Sequence, residues 1–257
     1  RSGFINGGES IRGLSGLPSG KTRSPESLWI VIVLLLPCRI IQSMNLSTLH
    51  KTSGWSFIAG ASLLVVYSVA FFACLPMASM GDNFAALVSD PDWLWIVSSA
   101  FFGLLLMLPG YTAIYSVTFR SGGWAGLTGY VLIVFANLLQ MCKVTWEIFI
   151  YPILAHGSNT TFLLSDRVIK NDPGVGVFRW IASLSILVGI ILFCRMVARS
   201  GHFGKAGAWG MAGGAILYGI GPLLSVSVAI GGIVLFAAGA MCLAGCLIRN
   251  ASSSGIS

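Results

Sequence analysis

Long apolar runs separated by short polar stretches are the feature that most constrains how this chain can fold. The runs follow one another from Trp55 to Ile248. A helix needs about 20 consecutive apolar residues to cross the hydrocarbon core of a bilayer, and within lipid it satisfies its own backbone hydrogen bonds. The sequence therefore predicts an all-α, polytopic membrane protein with six transmembrane helices, at about 55–75, 93–111, 124–151, 178–197, 205–220 and 223–248.

The composition excludes several other protein classes. Hydrophobic residues make up 56% of the 257 residues and charged residues only 9%, whereas about a quarter of the residues in a soluble domain are charged. A soluble enzyme, a nucleic-acid-binding domain or a disordered chain would need more polar residues than this. The net charge of +7 comes from scattered Lys and Arg residues that form no basic stripe. We therefore expect the lipid bilayer as a partner and no nucleic acid.

The first 43 residues are predicted to be an N-terminal extension that does not span a membrane. Their apolar run, Leu28–Leu36, has nine residues, which is too few to cross a bilayer. We interpret residues 1–43 as upstream translation or a disordered segment. The six-helix domain would then cover residues 44–257, beginning at the first methionine. A signal peptide with Lys21 and Arg23 in its basic region is the alternative interpretation.

Basic residues near the ends of the predicted spans indicate the orientation, because cytoplasmic loops are enriched in Lys and Arg. With the amino terminus inside, the cytoplasmic side would carry six basic residues and no acidic residue: Lys51, Arg120, Arg195, Arg199, Lys205 and Arg249. The opposite side would carry three basic residues, Arg167, Lys170 and Arg179, together with five aspartates. Both termini are therefore predicted to be cytoplasmic, in a plasma or inner membrane.

A polar stripe runs along the predicted third helix. At about 100° per residue, its five members share one arc of about 120°: Asn137, Gln140, Lys143, Glu147 and Tyr151. Polar groups in hydrocarbon are costly and usually face a bundle interior or a water-filled cavity, so this stripe is the candidate functional cluster. The alternative is structural, with Lys143 and Glu147 extending to the interface while Asn137 and Gln140 join helices by hydrogen bonds.

Small residues recur at helical spacing in the fifth and sixth predicted helices. Gly210 and Gly214 lie four residues apart on the fifth helix, and Gly232 and Ala240 lie at a multiple of four on the sixth. Such faces allow helix backbones to approach closely. These four residues are therefore predicted to hold the two helices together as a tight hairpin.

No motif in the sequence indicates catalysis, a cofactor or a metal. The three histidines, His50, His156 and His202, lie outside the predicted spans, so no imidazole is available there as a haem ligand or base. Cys242 and Cys246 share a helical face, but no nearby His or acidic residue completes a metal site. We therefore expect neither enzymatic activity nor a cofactor.

Two functional hypotheses follow from these observations. The first is a non-enzymatic membrane protein that acts in assembly, sensing or partner binding, with another membrane helix or a second copy of the chain as its partner. The second is a small-solute or ion transporter with a polar path along the third helix. Two inverted three-helix halves would favour transport, but the halves of this sequence show no clear similarity.

Overall fold

The computed structural model describes residues 46–75, 84–156 and 172–253. These residues form six helices, which are α1 (Leu46–Cys74), α2 (Phe84–Val88), α3 (Trp93–His156), α4 (Pro173–Ser200), α5 (Lys205–Leu224) and α6 (Val226–Ser253). The described ranges contain no strand, so the all-α prediction is confirmed for them. The predicted extension at residues 1–43 lies outside the described residues.

Four of these helices are long and apolar enough to cross a membrane, judged by length and composition: α1, α3, α4 and α6. α5 has 20 residues and is not one of the four. Its six glycines and Lys205 lower its mean hydropathy. Large apolar side chains are exposed along all four of the long helices, including Val66, Phe149, Leu184 and Val234.

α3 is a helical hairpin and not a single rod. At Gly123 the backbone has φ 52° and ψ −152°, a combination that only glycine adopts without strain. The segments on either side, 93–122 (α3a) and 124–156 (α3b), fold back on each other. The indole Nε1 of Trp93 donates to the backbone oxygen of Glu147 at 3.0 Å, and Thr112 Oγ1 lies 3.0 Å from Tyr130 Oη. The two segments are therefore antiparallel.

Several helix ends differ from the predicted ones. The predicted second span ended at residue 111, but α3a continues to residue 122 with Pro109 inside it. Neighbouring helices make an internal proline tolerable, since their packing holds the helix together around the lost hydrogen bond. α4 begins five residues earlier than predicted, because the carboxylate of Asp172 caps it and Pro173 occupies its first turn.

α5 and α6 form an antiparallel hairpin in continuous backbone contact. A Cβ on Gly214 would collide with the backbone nitrogen of Phe236, and one on Gly232 would collide with that of Tyr218. As residue numbers rise along α5, those of the facing residues on α6 fall by nearly the same amount. The facing pairs are Gly207/Cys242, Met211/Gly239, Gly214/Phe236, Tyr218/Gly232 and Gly221/Ala229. The register is therefore constant over the length of α5.

The other long helices also pack as antiparallel neighbours. A Cβ on Gly129 of α3b would lie 2.7 Å from Phe193 N of α4, and a Cβ on Gly103 of α3a would lie 3.0 Å from Leu64 of α1. α6 returns to α1, where Gly54 faces Ile248. Since α4 also packs on α5, these contacts close the helices into a ring.

One end of this ring is filled by apolar side chains from five helical segments. Phe57 of α1 meets Tyr111 of α3a with ring centroids 5.0 Å apart, and Tyr111 meets Phe193 of α4 at 5.7 Å. Met211 of α5 and Leu243 of α6 complete the cluster, and all five residues are almost fully buried. This packing leaves no room for a ligand among these five side chains.

That filled end also carries the six basic residues predicted to be cytoplasmic, and we call it the basic end. Here α1 begins, α3 reverses, α4 ends, α5 begins and α6 ends. The amide Nδ2 of Asn250 donates to the backbone oxygen of His202 at 3.3 Å, which joins the end of α6 to the α4–α5 connection. Its six basic residues are Lys51, Arg120, Arg195, Arg199, Lys205 and Arg249.

The α5–α6 contact generates a prediction with a neighbouring control. Gly214→Ala should destabilise the protein by about 1–3 kcal/mol, the usual cost of overpacking, because Cβ would meet backbone and not a movable side chain. Gly213→Ala should leave stability unchanged or slightly raised, since nothing lies within 4 Å of its Cβ position and alanine favours helix. The measurement is the thermal unfolding midpoint in detergent. Equal midpoints for the two variants would contradict the backbone contact.

Candidate functional site

A cavity of about 580 Å³ lies at the opposite end of the bundle from the basic residues. We call this end the cavity end. The walls come from the end of α1, from α2, from the two ends of α3 and from the start of α4. Six aromatic residues on α1 to α3 line it: Tyr67, Phe71, Phe84, Trp93, Trp146 and Tyr151. Most of the wall is therefore apolar, as in typical small-molecule sites.

An ion pair lies in the wall that α3b contributes. Lys143 Nζ is 2.9 Å from Glu147 Oε1, one helical turn away. The side chain of Glu147 is 11% exposed and that of Lys143 is 40% exposed. The carboxylate is thus largely buried, whereas the ammonium that neutralises it is partly exposed. In surroundings of low polarity, each charge compensates the other, so removing one partner leaves the other charge uncompensated.

Aromatic contacts hold this wall in position. Trp93 is 2% exposed, and its hydrogen bond to the backbone oxygen of Glu147 ties the start of α3a to α3b. Phe84 packs edge-to-face on Trp93 at 5.9 Å and on Tyr151 at 5.8 Å. α2 has only five residues, yet through Phe84 it links both segments of the α3 hairpin beside the ion pair.

The start of α4 adds a second pair of opposite charges. Asp172 Oδ1 accepts a hydrogen bond from Val175 N at 2.8 Å. Arg179 also lines the cavity, and no hydrogen bond or ion pair joins its guanidinium to another residue of the described ranges. The four charged residues that the described ranges contribute to the lining, two acidic and two basic, therefore sum to zero.

The structure divides the predicted polar stripe. Lys143, Glu147 and Tyr151 line the cavity, whereas Asn137 and Gln140 do not. Asn137 is 1% exposed, and its amide Nδ2 donates to the backbone oxygen of Ile133 on its own helix at 2.9 Å. The cavity therefore lies at one end of the stripe, and Asn137 and Gln140 are not part of its lining.

The predicted packing residues of α5 and α6 also have different surroundings. Gly214 and Gly232 touch backbone across the hairpin, and Ala240 is fully buried. Gly210 has room for a methyl group, since its Cβ would lie 3.8 Å from the nearest atom, Gly239 Cα. Sequence spacing identified the small-residue face, but it did not single out Gly239, whose Cβ would collide with Met211 N.

Several cavity residues were not predicted as site residues. Tyr67, Phe71 and Phe84 are ordinary apolar or aromatic positions in the sequence, and only the packing of three helices brings them together. Trp93 and Arg179 do carry a signal, because both lie at the predicted outer boundary of a span, where tryptophan and basic residues are common. That signal points to an interface and gives no indication of a cavity.

The described residues offer binding chemistry more readily than catalysis. No group of three or more His, Cys, Asp or Glu side chains within these ranges could hold a metal ion. Near the basic end, the Ser116 hydroxyl lies 3.4 Å from His50 Nε2, but it also donates to Ala113 O at 2.7 Å. The cavity supplies aromatic surface and charged groups, which suit a ligand with an apolar and a polar part.

Comparisons with known proteins were made at the level of families, sequences and structures. No protein-family model, no curated protein and no solved structure matches this chain. Its function therefore has to be argued from the site itself.

The ion pair generates a prediction in which the double variant controls the single one. Glu147→Leu alone should destabilise the protein by up to about 3 kcal/mol, because it leaves the Lys143 ammonium unpaired in an apolar wall. Lys143→Leu combined with Glu147→Leu should cost much less, since both desolvation penalties disappear with the charges. Thermal unfolding in detergent measures both. A double variant that is less stable than the single variant would contradict this account of the pair.

Proposed function

We propose that this chain is a six-span integral membrane protein whose role is non-enzymatic binding of an amphipathic small molecule or lipid. The binding site would be the cavity at the end of the bundle away from the basic residues. The observation that carries the proposal is the cavity itself, where aromatic walls surround an ion pair that is partly withdrawn from the surroundings. A ligand with an apolar body and a charged head matches both features.

The outer surface of the bundle supports membrane insertion. Residues such as Trp124, Leu223, Ile153 and Trp180 are between 69% and 87% exposed. In water, this much contiguous apolar surface would drive aggregation. In a bilayer, Leu223 and Ile153 would contact lipid tails and the two tryptophans would contact the interfacial region, without that penalty. We propose a plasma or inner membrane as the location of the protein.

The hairpins support six crossings and not four. α3a and α3b are antiparallel, so each would cross the membrane separately. α5 is less apolar than the other long helices, but it stays in contact with α6 from Gly207 to Gly221. A helix paired in this way lies at the same depth as its partner. We therefore propose that α5 crosses the membrane together with α6.

The charge distribution supports an orientation with both termini in the cytoplasm. The six basic residues of the basic end all lie on one side of the proposed membrane. Cytoplasmic loops are enriched in Lys and Arg, so this side would be the cytoplasmic one. The cavity would then open toward the outer face, at the level of the lipid headgroups. Trp93 and Trp180 lie at that level, where tryptophan is enriched.

A transport role is the second candidate, and one observation favours it: Lys143, Glu147 and Tyr151 of the polar stripe reach the cavity. A path would have to continue past Gln140 and Asn137 toward the basic end. Asn137 is buried and bonded within its own helix, and apolar side chains fill the bundle beyond it. We therefore prefer binding to transport.

The orientation predicts a labelling pattern. In a background without native cysteines, His156→Cys should react with a membrane-impermeant maleimide added to intact cells, because α3 ends at the outer face. His202→Cys should not react, since it lies at the basic end. Both histidines are exposed at helix ends, and a permeant maleimide should label both as a control. Labelling of His202→Cys alone would reverse the proposed orientation.

The binding role predicts that filling the cavity removes the ligand. Cys142 is exposed and lines the cavity, so Cys142→Trp should reduce the number of lipids retained by the purified protein from one to none. Ile150→Trp is the matched control, because Ile150 is exposed on α3b and does not line the cavity.

The lipids in this experiment come from vesicles of equal parts phosphatidylcholine, phosphatidylethanolamine and phosphatidylglycerol, and native mass spectrometry in maltoside detergent counts those retained. Thermal unfolding verifies that both variants are folded. If the unmodified chain retains no lipid, or if both tryptophan variants retain one, the proposed binding site is wrong.

A further inference from the structure

The net charge of the residues that line the cavity limits the class of ligand that the cavity can bind. Within the described ranges, its lining has two acidic residues, Glu147 and Asp172, and two basic residues, Lys143 and Arg179. A ligand with a net charge would leave that charge without compensation in surroundings of low polarity, which is costly. A neutral ligand with separated positive and negative groups would keep the balance.

Arg179 is the residue suited to the negative group of such a ligand. Lys143 already pairs with Glu147 at 2.9 Å, whereas Arg179 has no hydrogen bond or ion pair within the described ranges. Its guanidinium presents five donors in a planar fork, a geometry that matches the oxygens of a phosphate.

Aromatic rings are suited to the positive group. Seven of the fourteen lining residues are aromatic, namely the six on α1 to α3 and Phe178 on α4. Adjacent rings meet at interplanar angles of 48°, 53°, 77° and 88°, so they do not stack into one flat surface. The faces of aromatic rings attract substituted ammonium groups, as in the aromatic cages that bind such groups.

From these observations we infer that the cavity binds the zwitterionic headgroup of a neutral phospholipid, with the phosphate at Arg179 and the ammonium among the aromatic rings. This inference rests on the proposed binding function and specifies its ligand. Asp172 uses Oδ1 to cap α4, and its carboxylate lies seven residues before Arg179. The same stretch of α4 therefore offers a cation for the phosphate and a negative charge near the ammonium.

A lipid explains the walls better than a soluble zwitterion does. The start of α4 exposes Val177, Trp180 and Ile181 on the outside of the bundle, next to residues that line the cavity. Acyl chains could lie along this apolar surface while the headgroup occupies the cavity. A soluble headgroup fragment would leave that surface unused.

The test uses the complete chain in maltoside detergent, with reaction of Cys142 toward N-ethylmaleimide as the readout. Cys142 lines the cavity, and Cys242 is exposed elsewhere and serves as an internal control. Peptide mass spectrometry follows both thiols in the same sample. Phosphatidylcholine vesicles should slow labelling of Cys142 at least tenfold and leave Cys242 unchanged. Phosphatidylglycerol vesicles should have little effect on either thiol.

Two arginine variants test the position of the phosphate. Arg179→Gln should raise the phosphatidylcholine concentration needed for protection about tenfold. Arg195→Gln should not, because Arg195 is exposed on the same helix near the basic end. Both arginines are exposed, and thermal unfolding is expected to be the same for the two variants. Equal protection in both variants would overturn the assignment of the phosphate to Arg179.

The remaining outcomes separate this inference from the binding role on which it rests. Protection by phosphatidylglycerol as strong as that by phosphatidylcholine would overturn the zwitterion inference and leave the binding role intact. Protection by soluble glycerophosphocholine at the same concentration as the vesicle lipid would overturn the lipid source. No protection by any of these compounds, together with no retained lipid in the native mass spectrum, would overturn both proposals.

Discussion

Close contact between helix backbones is the constraint on which the rest of this structure depends. Glycine allows it at three antiparallel interfaces: Gly214 and Gly232 between α5 and α6, Gly129 between α3b and α4, and Gly103 between α3a and α1. Helices held this closely have little freedom to slide along one another, because any larger side chain would strike backbone. Their register is therefore determined by the positions of the glycines, and so are the side chains that meet inside the ring.

The two ends of the ring use that framework differently. At the basic end, Phe57, Tyr111 and Phe193 interlock and fill the interior. At the cavity end, the first residues of α4 are mostly exposed, and the aromatic side chains line a space without filling it. The bundle is therefore packed at the basic end and open at the cavity end. Its wall places the Lys143–Glu147 pair where a ligand can reach it.

Local patterns in the sequence predicted the helices, the turn of helix that separates Lys143 from Glu147 and the small-residue face of α5. These features depend on residues that are close along the chain. The sequence did not indicate that Pro109 would remain inside a helix, or that Tyr67 and Phe84 would face the ion pair. Those outcomes depend on contacts between distant segments, which hydropathy and spacing do not encode. The residues of the predicted stripe all lie on α3b, but only the fold shows that Asn137 and Gln140 lie apart from the cavity.

The reversal at Gly123 has a consequence for how the protein is made. It places Trp93 and Glu147 in contact within one segment, so most of the cavity wall is complete once α3 has left the ribosome. The α5–α6 hairpin is equally self-contained. Contacts between nearby segments carry the smallest loop-closure cost and form early, whereas Gly54 and Ile248 come from opposite ends of the described chain. The contact of α6 with α1, which closes the ring, therefore carries the largest loop-closure cost of these contacts.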